Sequence, residues 1–159
     1  FWKMILAATG HRPPALLGYS DEAFTRYVAA AEHVLLDTMP ERVISGMAQG
    51  WDTAIATACV NLGFPFDAYV AFEGVDRKWY PRDRRRFAAL CEAAESVVTV
   101  SPGKYSPWKL QARNEAMVEK CDQLAAMWNG KQHGGTWNCL KYATARGKPW
   151  TNYWGVLMG

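Results

Sequence analysis

Short apolar runs alternate with amphipathic stretches along the whole chain. Residues 4–8 form an apolar run of strand length that stops at Thr9-Gly10. Phe24, Tyr27, Val28, Ala31, Val34 and Leu35 then return at three- and four-residue spacing, the period of a helix with one buried face. Asp21 and Glu22 sit where they complement that helix's N-terminal dipole. A second short strand covers 42–45 and ends at Gly46. Trp51, Ile55, Ala58 and Leu62 predict the next helix, closed by Gly63, since glycine takes the left-handed C-terminal conformation without a side-chain clash. A third strand is expected over 66–72. A helix from Pro81 carries Phe87, Leu90, Cys91 and Ala94, and a fourth strand covers 96–100. Ser106-Pro107 predicts a helix start, a capping hydroxyl followed by a proline in the first turn, and that helix runs to about Lys120. A fifth strand is expected over 123–128. Gly134-Gly135-Thr136 opens a last helix that closes near Gly147, and 149–153 adds a terminal edge strand.

Strands and helices alternating at this pitch predict βαβ units. The expected fold is α/β: a single doubly wound, mostly parallel sheet in a Rossmann-like three-layer arrangement, with 1–159 as one domain. The 159 residues and 17.8 kDa suit one domain, and 50% hydrophobic with 21% charged residues exclude a disordered chain. No repeat, low-complexity tract or linker interrupts the pattern. No apolar run approaches the roughly 18–20 residues that cross a bilayer, so no membrane partner is expected. A net charge of +3 argues against a nucleic-acid partner. The opening Phe1-Trp2-Lys3-Met4 is too short for a signal peptide, and Phe1 in place of Met suggests a trimmed residue or tag. Cys59, Cys91, Cys121 and Cys139 form no C-x-x-C pair and no Cys/His cluster. Free thiols, no metal, no cofactor and a reducing, cytoplasmic compartment are the expectation.

Ligands of open parallel sheets bind at the carboxyl ends of the strands, so the post-strand loops are the place to look for chemistry. They hold Thr9-Gly10-His11-Arg12-Pro13, Ser45-Gly46-Met47-Ala48-Gln49-Gly50-Trp51-Asp52, Glu73-Gly74, and Asn129-Gly130 followed by Gly134-Gly135-Thr136-Trp137-Asn138. Small residues at a strand-to-helix turn let backbone amides approach an anion, and the helix dipole favours it. Two such turns, 45–50 and 134–136, could each cradle a phosphate, although glycines in such places also serve plain turn geometry. Neither matches the dinucleotide fingerprint or the NTPase phosphate loop, which disfavours dehydrogenase and ATPase chemistry.

Taken in order, Thr9 to Pro13, Ser45 to Asp52, Arg113-Asn114 and Gly134-Gly135-Thr136-x-Asn138 resemble the SLOG superfamily. The likeness is to its small single-domain branch of Gram-positive bacteria and phages, related to DNA-processing protein A and to the cytokinin-activating phosphoribohydrolases. The resemblance implies a pocket for a nucleotide-derived ligand. On this chain the matching positions are Thr9, Gly10, His11, Arg12, Ser45, Gly46, Met47, Gly50, Asp52, Asn114, Gly134, Gly135, Thr136 and Asn138. Post-strand placement adds Glu73, Trp79, Arg82 and Asn129. The phosphoribohydrolase branch carries Gly-Gly-x-Gly-Thr-x-x-Glu, and here Cys139 stands where its catalytic Glu would be. Glycosidic hydrolysis needs a carboxyl group, so only Glu73 and Asp52 are candidate replacements, and catalysis is not indicated.

Eight tryptophans change the picture further. Trp51 and Trp128 are expected in the core, while Trp79 and Trp137 are the candidates for stacking on a base. Trp2, Trp150 and Trp154 lie near the termini. The segment 77–86 reads either as a solvated charged face or as a lid for phosphates or nucleic acid. His11 and His133 sit in loops, and His33 lies within a helix. Three functions remain open: a binder of an ADP-ribose-type or cyclic-nucleotide signal, acting as a sponge in a phage setting; a phosphoribohydrolase-like or nucleotide-signal hydrolase using Glu73 or Asp52 with Arg12; and a single-stranded DNA binder. A homo-oligomer is expected from the resemblance.

Overall fold

Strand β1 (Ile5–Gly10) alternates its side chains between two faces: Leu6 and Ala8 enter one buried cluster and Ala7 another. The same split recurs in β2 (Arg42–Ser45), where Val43 and Ile44 point to opposite clusters. The central strands are therefore buried on both sides and flanked by helices. The computed structural model describes residues 3–159, so the place expected for Trp2 lies outside the described residues.

With β3 (Phe66–Val70), β4 (Ser96–Thr99), β5 (Gln123–Met127) and β6 (Trp150–Asn152), the strand order is β4-β3-β2-β1-β5-β6, and every neighbouring pair is parallel. Helices α1 (Asp21–Thr38), α2 (Trp51–Leu62), α3 (Pro81–Ala93) and the short α6 (Trp154–Met158) cover one face. Helices α4 (Pro107–Lys120) and α5 (Gly135–Ala145) cover the other. This is a Rossmann-like three-layer α/β fold.

Several boundaries differ from expectation for identifiable reasons. Strand β1 continues through Thr9 and Gly10 because these pair with Ala126 and Met127 of β5. Strand β3 stops at Val70, although Ala71 and Phe72 remain buried. Ser106 takes the position before α4, but its hydroxyl makes no capping bond; its carbonyl accepts from the Lys109 amide instead, at 3.0 Å. Ser20 does cap α1, accepting from the Ala23 amide at 3.0 Å. The pattern did not foresee α6, which docks on α1 through a 3.1 Å bond from Arg26 to the Leu157 carbonyl.

Among the described residues no helix is long and apolar enough to cross a membrane. The four cysteines are free. Burial pushes the thiols of Cys59 and Cys139 up to about 12 and that of Cys121 to about 11, which leaves them protonated and unreactive.

Candidate ligand cleft at the switch point of the sheet

After β4 the chain crosses the sheet and lays β5 beside β1, on the side away from β2. The loops leaving β1 and β5 therefore begin next to each other, and the crevice between them is the topological switch point. His11 joins them. Its amide donates to the Met127 carbonyl at 3.2 Å, and its Nε2 accepts from the Asn129 amide at 3.0 Å. Its Nδ1 lies 3.4 Å from the Thr136 hydroxyl at the start of α5. An imidazole that accepts at Nε2 is neutral. Burial, with a smaller contribution from His133, holds its pKa below the ordinary histidine value and keeps it so.

Beside His11 opens a cleft of about 300 Å³ lined by Thr9, Gly10, His11, Arg12, Ala48, Asp52, Leu110, Arg113, Asn114, Gly135 and Thr136. Its floor carries a buried polar group. Asp52 Oδ2 accepts from the Ala48 amide at 3.4 Å, whereas Oδ1 is the one buried side-chain polar atom without a partner among the described residues. Burial raises the Asp52 pKa to about 6, against the pull of Arg113, the Ala48 amide and Arg12. Arg113 is buried too, and burial lowers its pKa. Its Nη1 donates to the Gly46 carbonyl at 2.5 Å and its Nε to Asn114 Oδ1 at 3.1 Å. A buried ion that keeps such partners is tolerated, and removing one of them is costly.

The two glycine turns behave differently. At 45–50 the polar groups are used within the protein: the Ser45 hydroxyl donates to the Asp52 carbonyl at 2.7 Å and accepts from the Met47 amide at 3.2 Å. The Trp51 amide, at the start of α2, points to the His11 carbonyl at 3.4 Å. Gly50 has φ 90, and a Cβ there would meet the His11 carbonyl at 2.7 Å. The structure thus does not bring Ser45, Gly46, Met47 or Gly50 to the cleft wall; they lie behind it, and Met47 is buried. At 134–136 the surroundings are open: a Cβ on Gly134 or Gly135 would meet nothing within 4 Å. The first-turn amides of α5 have no intrahelical acceptor.

The remaining expected residues are spread out. Glu73 and Trp79 line a second cavity of about 410 Å³ beyond β3, so Glu73 and Asp52 do not share a wall. Arg82 pairs with Asp21 at 3.2 Å and donates to the Tyr19 carbonyl. Arg84 pairs with Asp76 and Arg86 with Asp83, so the basic charge at the start of α3 is offset largely by carboxylates. Asn129 contributes its amide to His11, and its side chain accepts from Lys131 at 3.0 Å. Asn138, His33 and His133 are exposed. Trp51 is fully buried under Gly10, as expected. Trp128 is not a core residue: it is half-buried and stacks on Trp137 with centroids 5.1 Å apart and planes 10° from parallel, edge-on to Trp150. That stack occupies one face of Trp137. Cys139 is buried behind β1.

Two cleft residues are missing from the sequence-based candidates: Leu110, and Arg113, which entered only as part of the motif Arg113-Asn114. The signal was present for Arg113: Lys109, Arg113 and Met117 follow at four-residue spacing along the buried stripe of α4, an unusual place for two cations.

A parallel, doubly wound sheet with a polar cleft where its strand order reverses defines a Rossmann-like α/β protein. The chain belongs to the YspA SLOG family (YpsA), whose model matches residues 6–153. It is 26% identical to the SPbeta prophage-derived protein YoqJ of Bacillus subtilis (strain 168), over 82% of each chain. Among solved structures, DNA processing protein A of Streptococcus pneumoniae superposes with a TM-score of 0.65 at 18% identity, covering 93% of this chain and 49% of that one. The same protein of Helicobacter pylori, described with a single-stranded DNA binding mode, gives 0.64 at 14% identity, over 92% and 63%. This chain spans about half to two thirds of those proteins, and the likeness is one of fold.

Proposed function

We propose that the chain binds a nucleotide-derived ligand, of ADP-ribose or cyclic-nucleotide type, at the carboxyl ends of β1 and β5 and holds it without transforming it. The observation that carries this reading is the unpartnered Asp52 oxygen on the floor of a polar cleft that also holds Arg12 and the open start of α5. A phosphate suits the helix start and Arg12, and a ribose hydroxyl suits an acceptor that lacks a donor. Family membership and the prophage origin in YoqJ's name support a phage setting, in which such a binder sequesters a host signal. Self-association belongs to the same reading, since the edge strand β4 leaves Val97 and Val98 exposed. Native mass spectrometry with nucleotides, cyclic dinucleotides and ADP-ribose derivatives tests it and reads the copy number. Intact ligand recovered in stoichiometric amount is the expected result, and no retained species from the panel sinks the reading.

One observation favours a second reading, a hydrolase. A carboxyl group with a pKa of about 6 is poised to give or take a proton near neutrality, and Asp52 has one at the cleft. Recovery of a ligand fragment, lost in Asp52→Asn, would establish turnover. Single-stranded DNA binding has less support, because Arg82, Arg84 and Arg86 are tied to carboxylates. A steep salt dependence carried by Arg82, Arg84, Arg85 and Arg86 would revive it.

A further inference from the structure

The cleft does not end at Asp52. Arg12, Ala48, Leu110 and Arg113 also line a narrower cavity of about 150 Å³, which runs past Gln49 toward β3. Phe72, Val75, Trp79 and Tyr105 carry that passage into the cavity of about 410 Å³ beyond β3. The three cavities thus follow one another with shared walls, the narrow one lying between the other two.

The far end differs in chemistry from the near end. Three aromatic rings line it, Phe72, Trp79 and Tyr105, and the two larger ones are braced edge-on: Trp79 by Phe87 at 5.4 Å and Tyr105 by Phe72 at 5.7 Å between centroids. Arg77, Lys78 and Lys104 line it as well, with Glu73 as its single acidic residue. Unlike Arg82, Arg84 and Arg86 of α3, these three cations have no carboxylate partner among the described residues. The loop that presents Tyr105 is anchored. The buried Lys109 donates its ammonium to the Pro102 carbonyl at 2.5 Å and to the Lys104 carbonyl, and the Ser101 amide bonds the Ala71 carbonyl at 3.2 Å. Tyr105 itself is 62% exposed, so its ring is placed over the cavity without being part of the core.

We infer that the far cavity is a second base subsite, and that the ligand is a two-base nucleotide whose units are joined through phosphate. One unit lies against the Asp52 cleft, and the other lies between Trp79 and Tyr105, its phosphate near Lys78, Arg77 and Lys104. Stacking on braced aromatic rings accepts any heterocycle, while unpaired cations nearby favour an anionic linker. This inference rests on the binding function proposed above and adds the size and composition of the ligand.

The test is titration calorimetry of the whole chain with adenosine monophosphate and ADP-ribose, each with one base, and with linear diadenylate, cyclic diadenylate and NAD, each with two. The expected result is at least one two-base ligand binding about tenfold tighter than the one-base ligands. Tyr105→Ala should remove that advantage, leave one-base affinity within about twofold, and leave the melting temperature unchanged. Trp79→Leu gives an independent second reading of the same loss. If one-base ligands bind and no two-base ligand gains over them, or if Tyr105→Ala weakens both classes alike, the second subsite is overturned while the binding function stands. If nothing in the panel binds, both fall.

Discussion

The imidazole of His11 accepts the amide of Asn129 at 3.0 Å, across 118 residues of chain, and so ties the loop after β1 to the loop after β5. This bond closes the crevice created when β5 is laid beside β1, and it places Thr136 at the cleft wall. His11→Ala leaves a half-buried amide without its acceptor. We expect a loss of about 1 kcal/mol in unfolding free energy and weaker ligand binding. The bond also requires a neutral ring. Because the folded pKa lies below 6.5, the His11 contribution is complete above that pH and fades as the pH falls through the folded value. Unfolding of wild type and His11→Ala, compared between pH 5 and 8, checks the sign.

Asp52 has the opposite dependence. Its carboxyl ionises near 3.8 when unfolded and near 6 when folded, so the folded state holds the extra proton between those values. Stability from this group is complete below pH 3.8 and is lost as the pH rises through 6, by about 3 kcal/mol in all. Asp52→Asn cannot titrate. The difference in stability between variant and wild type should therefore move in the variant's favour from pH 4 to 8, whichever is more stable at the start. A constant difference across that range would overturn the raised pKa.

Arg113 supplies the largest charge effect opposing the burial of the Asp52 carboxyl. Arg113→Met removes the donor to the Gly46 carbonyl and a positive charge from beside Asp52. A cost of about 3–5 kcal/mol is expected from thermal or urea unfolding, together with a further rise in the Asp52 pKa.

Glycine substitutions should rank by local space. A Cβ on Gly10 falls 2.5 Å from Trp51, a fully buried ring that cannot yield, so Gly10→Ala should cost more than about 3 kcal/mol or prevent folding. Gly134→Ala meets open space but must hold φ 92 with ψ 179, a conformation nearly confined to glycine, at about 1–3 kcal/mol. Its larger effect should be on ligand affinity at the start of α5. Melting temperatures of the two variants give the ranking.

Much of the fold could be read from local pattern. The apolar runs at 42–45 and 123–128 and the helical spacing from Phe24 to Leu35 each state their own secondary structure, because burial on one or two faces imposes a period on neighbouring residues. Strand ends were less legible. Thr9 and Gly10 carry no apolar signal and join β1 only because β5 offers them partners. Helix α6 is too short for its period to show, and it holds its place by docking on α1.

The motifs at 9–13, 45–52 and 134–138 could be located from the sequence because small and polar residues stand out after apolar strands. Their division of labour could not. Only packing decides that Ser45 and the α2 start are satisfied internally while the α5 start is left open. Trp128 reads as core by its place at a strand end, yet β6 and α5 draw it into an aromatic stack with Trp137 and Trp150.

Local pattern along the chain specifies a parallel α/β sheet, its helices and the loops that bear polar residues, since these follow from period, capping and glycine content. Only packing sets β5 beside β1, brings Arg113 and Asp52 to one cleft, and lines one cavity with Trp79 and Tyr105. Those relationships join residues far apart in the chain, and the free energy that sets them is burial against distant partners, which leaves no periodic mark on either segment.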